Sequence, residues 1–147
     1  MIKGLAKIIA YCYKSGGKVL ICGNGGLAAE AEHFAGELMG KFGREVFIPC
    51  IALTPNSALI TAISNDMGFE EVFAHQVRVL GNRGDVLIAM TTSKSVNIIK
   101  AVRAGVEKGM ITILLNKANL GGNDVAEIQE NALKLLHRVA REAKELV

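Results

Sequence analysis

His33 and Glu37 stand four residues apart in GLAAEAEHFAGELM, a spacing that places both on one face of a helix with their backbones about 6 Å apart. Such a pair can bind one metal ion, or set a carboxylate base beside an imidazole. An isolated His-x-x-x-Glu is more often a surface ion pair or a core histidine, so chemistry requires further partners. Gln129 and His137 supply candidates near the C-terminal end. Eight residues turn a helix through about 800°, leaving the two side chains about 80° apart around the axis and about 12 Å apart along it. One metal is reached by both only if it lies between them; otherwise one ligand comes from a neighbouring subunit. His75, the third histidine, reads as a helix-surface residue without a role.

Two loops are suited to an anion. Gly23-Asn24-Gly25-Gly26 carries three glycines between an apolar run and a helical one. Glycine permits a sharp turn and close backbone approach, and the helix start behind it offers free N–H groups. It is not a dinucleotide fingerprint, because the third glycine of G-x-G-x-x-G is replaced by Ala28, and G-K-[ST] is absent. The plain alternative is a tight strand-to-helix turn with no ligand. The second loop, Thr91-Thr92-Ser93-Lys94-Ser95, sets four hydroxyls and one ammonium before a helix. Capping that helix needs one hydroxyl, so four favour a phosphate.

The elements that must position these residues alternate. A helix is expected over 2–14, a strand over Lys18–Cys22, and a helix over Leu27–Met39. A strand follows over Ile48–Leu53, weakened at its start by Pro49, then a short helix capped by Asn56 or Ser57 and running through Ser64. A helix over Glu70–Leu80, a strand over Asp85–Met90 and a helix over Val96–Lys108 come next. A strand over Met110–Leu115, a loop over Asn116–Asn123 and a last helix capped by Asp124 complete the chain. Strands that are continuous apolar runs between helices imply an α/β fold: a three-layer α-β-α sandwich around a central parallel sheet. In such sheets ligands bind beyond the carboxyl ends of the strands, where both polar loops fall.

The chain has 147 residues, which fits one domain, and half of them are hydrophobic. Aromatics are 5% with no tryptophan, and net charge is only +3, which speaks against nucleic acid and suits a small anionic ligand. Cys12, Cys22 and Cys50 form no C-x-x-C pair and read as buried small hydrophobes in a reducing compartment. There is no leader pattern and no apolar run approaching ~18 residues, so a soluble cytoplasmic protein without a membrane partner is expected.

Four segments carry a family resemblance. GNGGLAAEAEHFAGELMGKF resembles the G-N-G-G-S and H-F-x-x-E-L signatures of phosphoheptose isomerases of the SIS (sugar isomerase) fold. ALTPNSALITAISNDMGFEEVFAHQV is similar to the second signature, with Asn65 and Asp66 as its Asn-Asp pair. GDVLIAMTTSKSVNIIKAV resembles the phosphate loop S-T-S-G-x-S, and EIQENALKLLH the I-Q-E followed by a histidine. The match runs in order along nearly the whole chain, 1–147, as one SIS domain.

The resemblance implies a homotetramer with active sites between subunits, converting sedoheptulose 7-phosphate to a glycero-manno-heptose 7-phosphate for surface glycans. It places His33, Glu37, Gln129 and His137 on zinc ligands, with Glu37 also as general base and His137 as general acid. Thr91, Thr92, Ser93 and Ser95 fall on the phosphate loop, and Asn24, Gly25, Gly26, Lys41, Asn65, Asp66 and Gln129 on substrate-contacting positions, Lys41 replacing the more usual arginine. An aldose–ketose isomerase needs a base at the carbon acid and an acid or Lewis acid at the carbonyl oxygen, and these residue types supply them. A carboxylate bound tightly to metal is a poorer base, so the two roles of Glu37 pull against each other. Other readings are an isomerase of another phosphosugar, or a non-catalytic SIS protein of the DnaA-initiator-associating type, which lacks the glutamate and final histidine present here.

The chain departs from the family pattern at four places. Leu27 replaces a serine after G-N-G-G, and the phosphate loop lacks a glycine between Ser93 and Lys94. About 20 residues carrying a fifth strand are absent between Gly122 and Asn123, and the first helical region is shorter.

Overall fold

The computed structural model describes residues 1–147. The order is α1 (Ile2–Lys14), β1 (Val19–Cys22), α2 (Gly26–Met39), β2 (Cys50–Ala52), α3 (Ser57–Asp66), a 3-10 turn (Phe69–Glu71), α4 (Val72–Leu80), β3 (Val86–Met90), α5 (Val96–Glu107), β4 (Ile111–Leu115), α6 (Lys117–Leu120) and α7 (Val125–Glu145). The four strands form one sheet in the order β2-β1-β3-β4, every pair parallel.

Alternation along the strands divides the core in two. Val19 and Ile21 of β1 and Val86, Ile88 and Met90 of β3 face α1, α2 and α7. Leu20, Cys22, Leu87 and Ala89 face the opposite layer of α3, α4 and α5. With both faces covered, β1 and β3 are buried at every position. Each buried leucine or isoleucine contributes about 1.5–3 kcal/mol. All three cysteines are buried and free. Burial pushes the Cys22 thiol up to about 12 and raises Cys12 and Cys50 as well, so they behave as small hydrophobes.

Several expected elements change their bounds for local reasons. The strand expected over Ile48–Leu53 keeps only Cys50–Ala52, because Pro49 has no N–H and serves the sheet solely as an acceptor for the Val19 N–H. Asn56 caps α3, its side chain accepting the Leu59 N–H at 3.0 Å, and the helix runs two residues past Ser64. The helix expected from Glu70 begins with the 3-10 turn and becomes α-helical at Val72. The loop expected over Asn116–Asn123 contains α6, closed by a capping box between Asn116 and Asn119. Asp124 caps α7 through the Glu127 N–H at 2.9 Å. No fifth strand is present, and β4 is an edge.

The connection from β1 leads outward to β2, and the chain then returns across to β3. The carboxyl ends of β1 and β3 therefore flank the point where strand order reverses, the usual ligand crevice of such sheets. The glycine loop and the hydroxyl loop stand on either side of it.

Candidate active site and metal centre

α2 and α7 pack side by side on the same face of the sheet, and each presents one edge outward. Ala31, Phe34, Ala35 and Leu38 of α2 point into the core, which leaves His33 at the surface and Glu37 at its margin, 8% exposed. Leu136, Val139 and Ala140 bury α7 and turn His137 toward α2.

The side chains converge. Oε1 of Glu37 lies 2.7 Å from Nε2 of His33 and 2.8 Å from Nε2 of His137, and the two imidazole nitrogens are 3.2 Å apart. No placement of protons on two Nε2 atoms satisfies all three contacts. Two N–H groups aimed at the carboxylate leave the nitrogens opposed, while one shared N–H leaves a nitrogen lone pair against oxygen. A cation accepts all three lone pairs at once. Three ligand atoms on a tetrahedral Zn²⁺ are separated by roughly 3.3 Å at ordinary bond lengths; the imidazole–imidazole edge is 3.2 Å, and the two edges to Glu37, 2.7 and 2.8 Å, need only open slightly to admit an ion. Oε2 of Glu37 is buried with no hydrogen-bond partner, a costly state for a carboxylate that a bound cation offsets. His33, Glu37 and His137 thus fit a metal by number, type and geometry.

The His137 imidazole is held from behind. Phe42 stacks on it with centroids 5.9 Å apart, and the Arg141 guanidinium lies over the Phe42 ring, 5.2 Å from its centroid. Beneath Glu37, Lys144 is buried, its ammonium donating to the Gly40 carbonyl at 2.6 Å beyond the end of α2. Burial lowers the Lys144 pKa and the Glu37 charge partly restores it. The sequence reading missed Phe42, Arg141 and Lys144. Lys144 carried a signal: it lies four residues after Ala140 on the buried stripe of α7.

Gln129 lies elsewhere in this chain. A Cβ on Gly26 would come within 2.5 Å of the Gln129 amide, so this glutamine rests on the start of α2. Gly26 and His33 are about 10 Å apart along that helix. Gln129 and the triad are therefore separated within one chain, as the eight-residue spacing from His137 requires.

The hydroxyl loop holds itself in shape. The buried Thr91 hydroxyl accepts from the Ser93 N–H at 3.1 Å, donates to the Ser93 carbonyl and lies 3.2 Å from the Ser95 hydroxyl. Ser95 is the N-cap of α5 yet makes no side-chain capping bond, so capping does not explain it. Thr92, Ser93 and Lys94 line a cavity of about 220 Å³ with Asn116 and Lys117. In the glycine loop, Gly25 adopts φ 58°, open to glycine at no steric cost. Asn24 bonds to Asn97 of α5, a residue the sequence reading did not single out. Asn65 and Asp66 are exposed at the end of α3, joined at 2.9 Å, and Lys41 is exposed in an ion pair with Glu45. His75 is half-buried on α4. A further cavity, about 360 Å³, opens at the amino ends of the strands beside Lys18 and Arg83, where the one carboxylate, Asp85, is already engaged by Lys18 and backbone N–H groups.

A parallel sheet with two anion-suited loops at its reversal point, and a His–Glu–His cluster on an outer helix pair, defines the class: the chain belongs to the SIS domain family, which matches residues 1–116. Within it, the chain is similar to phosphoheptose isomerases. It is 43% identical over 150 residues to the Phosphoheptose isomerase of Neisseria gonorrhoeae (strain NCCP11945), covering 90% of this chain and 76% of the relative. It is 39% identical over 155 residues to Phosphoheptose isomerase 1 of Campylobacter jejuni, covering 95% and 83%. Among solved structures, a phosphoheptose isomerase from Francisella tularensis superposes with a TM-score of 0.92 at 34% identity, and one from Neisseria gonorrhoeae with 0.88 at 36%. Each superposition covers 98% of this chain and 85% of the other.

Proposed function

We propose that the protein is an aldose–ketose isomerase that interconverts sedoheptulose 7-phosphate and D-glycero-D-manno-heptose 7-phosphate in the cytoplasm, supplying heptose for surface glycans such as lipopolysaccharide. The observation that carries this is the meeting of His33, Glu37 and His137 at one point, in a chain similar to phosphoheptose isomerases.

The reaction moves one proton from C1 of the ketose to C2 through an enediol, while a second is given to O2 and one is taken from O1. Glu37 is the base: it removes the C1 proton and returns it to C2. His137 is the acid: it protonates O2 as the enediol forms and accepts the O1 proton as the aldehyde forms. The stacked Phe42 and Arg141 orient that imidazole. His33, Glu37 and His137, joined by a Gln129 from a neighbouring subunit, would hold one Zn²⁺ per subunit, which would supply a Lewis acid for the substrate oxygens. The two Glu37 oxygens differ, Oε1 facing both imidazoles and Oε2 unpartnered. Rotation of the carboxylate exchanges them, which eases the conflict between ligand and base.

Thr92, Ser93 and Ser95 bind the phosphate, with Thr91 shaping the loop, and the Gly25 and Gly26 backbone approaches from the facing side. Asn24, Lys41, Asn65, Asp66 and Gln129 contact the rest of the sugar phosphate. A homotetramer with interfacial sites has a geometric argument behind it. Glu37 lies about 16 Å along α2 from Gly26, whereas an extended heptose 7-phosphate spans only about 10 Å from C1 to phosphorus. A second subunit that supplies the loop shortens that gap, and one that supplies Gln129 completes the ligand set.

The test is conversion of sedoheptulose 7-phosphate by the purified protein, with and without Zn²⁺, followed by NMR of the sugar. A new aldoheptose phosphate signal is expected. No conversion by folded, zinc-loaded protein sinks the proposal.

A further inference from the structure

Asn97 is 4% exposed, near the start of α5 and two residues beyond the hydroxyl loop. Its Nδ2 donates to Oδ1 of Asn24 at 2.8 Å, and the Nδ2 of Asn24 donates back to Oδ1 of Asn97 at 2.9 Å. The same Oδ1 of Asn97 also accepts the Ile98 N–H at 3.0 Å, which fixes the plane of the side-chain amide. The ladder between β1 and β3 ends at Cys22 and Ala89. Beyond it the two loops diverge, and the paired amides reconnect them, 73 residues apart in sequence.

We propose that Asn97 is a positioning residue of the sugar-phosphate site: its reciprocal amide pair with Asn24 latches the glycine loop to the hydroxyl loop across the reversal point of the sheet. This rests on the sugar-phosphate reading above. Two features set it apart from general packing. A reciprocal amide pair satisfies a donor and an acceptor on each side and tolerates only one relative placement, so it fixes separation and angle together. Its ends lie beside the groups offered to the anion. Asn24 immediately precedes Gly25, and its carbonyl accepts the Leu27 N–H as α2 begins. Asn97 follows Ser95, whose carbonyl accepts the Ile99 N–H as α5 begins. The latch therefore sets the distance between two helix starts that face one ligand. It also takes the side-chain Oδ1 and one Nδ2–H of Asn24, leaving that amide's second N–H for the sugar and the Gly25 and Gly26 backbone for the anion.

A phosphate held between latched loops needs no rearrangement on binding, whereas unlatched loops must be ordered by the ligand itself. Removing the latch is expected to raise KM and leave kcat nearly alone, since Glu37 and His137 lie on other parts of α2 and α7. The experiment compares wild type, Asn97→Ala, Asn24→Ala and the double variant. It reads KM and kcat with sedoheptulose 7-phosphate, and affinity for inorganic phosphate by calorimetry. Asn97→Ala is expected to raise KM and weaken phosphate about tenfold, with kcat within about threefold. The double variant should be no worse than Asn24→Ala alone, because the first change already opens the latch. If Asn97→Ala does not fold, Asn97→Asp, which loses the Nδ2 donor of the pair while keeping the side chain's size, carries the same readout. Unchanged KM and phosphate affinity in a folded variant, a fall in stability alone, or single effects that multiply in the double variant each overturn the latch. Wild-type protein that binds phosphate but does not isomerise the sugar removes the isomerase reading while the phosphate measurement still decides the latch; wild type that does neither overturns both.

Discussion

His137 reaches across from α7 to place Nε2 2.8 Å from Oε1 of Glu37, the same oxygen that His33 holds at 2.7 Å from within α2. A hundred residues of chain separate the glutamate from this second histidine, so the contact exists only because α2 and α7 share one face of the sheet. It joins the proposed base and the proposed acid. Glu37→Gln keeps the volume and removes the basic oxygen. Turnover is expected to fall at least about 10³-fold, with an unchanged fold by circular dichroism. His137→Ala is expected to do the same while also freeing Phe42. Either variant at full activity removes that residue from the chemistry.

The crowding of three lone-pair atoms predicts metal dependence. Zinc bound at His33, Glu37 and His137 should raise the melting temperature of wild type and leave a His33→Ala variant nearly unmoved. Because the imidazoles must be neutral and the carboxylate ionised to bind, zinc is expected to be released as pH is lowered. Titration of metal-free protein, followed by calorimetry, reads both. A melting temperature indifferent to zinc in both proteins removes the site.

Gly26 tests the contact between the two site helices. Any Cβ there meets the Gln129 amide at 2.5 Å, against a side chain that can swing aside. Gly26→Ala is expected to displace Gln129 and lower activity more than tenfold, while costing at most about 1–3 kcal/mol of stability. Urea unfolding beside a kinetic assay separates the two effects. Activity within twofold of wild type places Gln129 outside the site.

The layering was legible from the sequence because burial on both faces leaves a plain mark: KVLIC and DVLIAM are apolar without alternation, as only a covered parallel sheet requires. The two loops were legible as strand-to-helix turns because runs of glycine and of hydroxyl residues interrupt the apolar periodicity on either side of them. The His33–Glu37 pair showed in its spacing, but its union with His137 did not. Helical periodicity places residues on faces, and which two helices adjoin is a tertiary fact. The ligand set came instead from family resemblance. α6 escaped because four residues are too short for a period, and its capping box is carried by two ordinary asparagines. Asn97 escaped because its partner lies 73 residues away. Lys144 escaped because a lysine on an apolar stripe is usually assumed to reach solvent, whereas this one turns inward to a carbonyl.

Asp85 gives the fold an acid-sensitive point. Burial works against its ionisation. The Lys18 ammonium and the N–H groups of Lys18 and Asn82 outweigh that, holding the carboxyl below the usual range. With the folded pKa depressed, the stabilisation is present above the unfolded carboxyl value near 3.9 and is lost as pH falls through the folded value. Asp85→Asn is expected to cost about 1–3 kcal/mol at pH 7, leaving Lys18 unpaired. Urea midpoints of the two proteins should converge only as pH falls below the ordinary carboxyl range, through the depressed folded value. A gap that persists at low pH assigns the loss to packing rather than charge.

Lys144 bears on stability with the opposite sign. Burial is the larger influence and lowers its pKa, while the Glu37 charge opposes the shift. Below the folded pKa the protein carries a buried ammonium whose one hydrogen-bond partner is the Gly40 carbonyl. That burden is relieved as pH rises through the folded value toward the unfolded 10.5, so the sign favours the fold at alkaline pH. Replacing a buried charge by an apolar chain of like volume is often neutral or stabilising, so Lys144→Met is expected to match wild type or exceed it by about 1 kcal/mol at pH 7. The difference should close as pH rises. Lys144→Ala removes the same charge but leaves a cavity beneath Glu37, and is expected to cost about 2–4 kcal/mol. Denaturant unfolding of both variants at pH 7 and pH 10 separates charge from volume. If the methionine variant loses more than about 2 kcal/mol, the ammonium bond to Gly40 is a net support of α2, and it is the bond rather than the filled space that holds the end of the helix bearing Glu37.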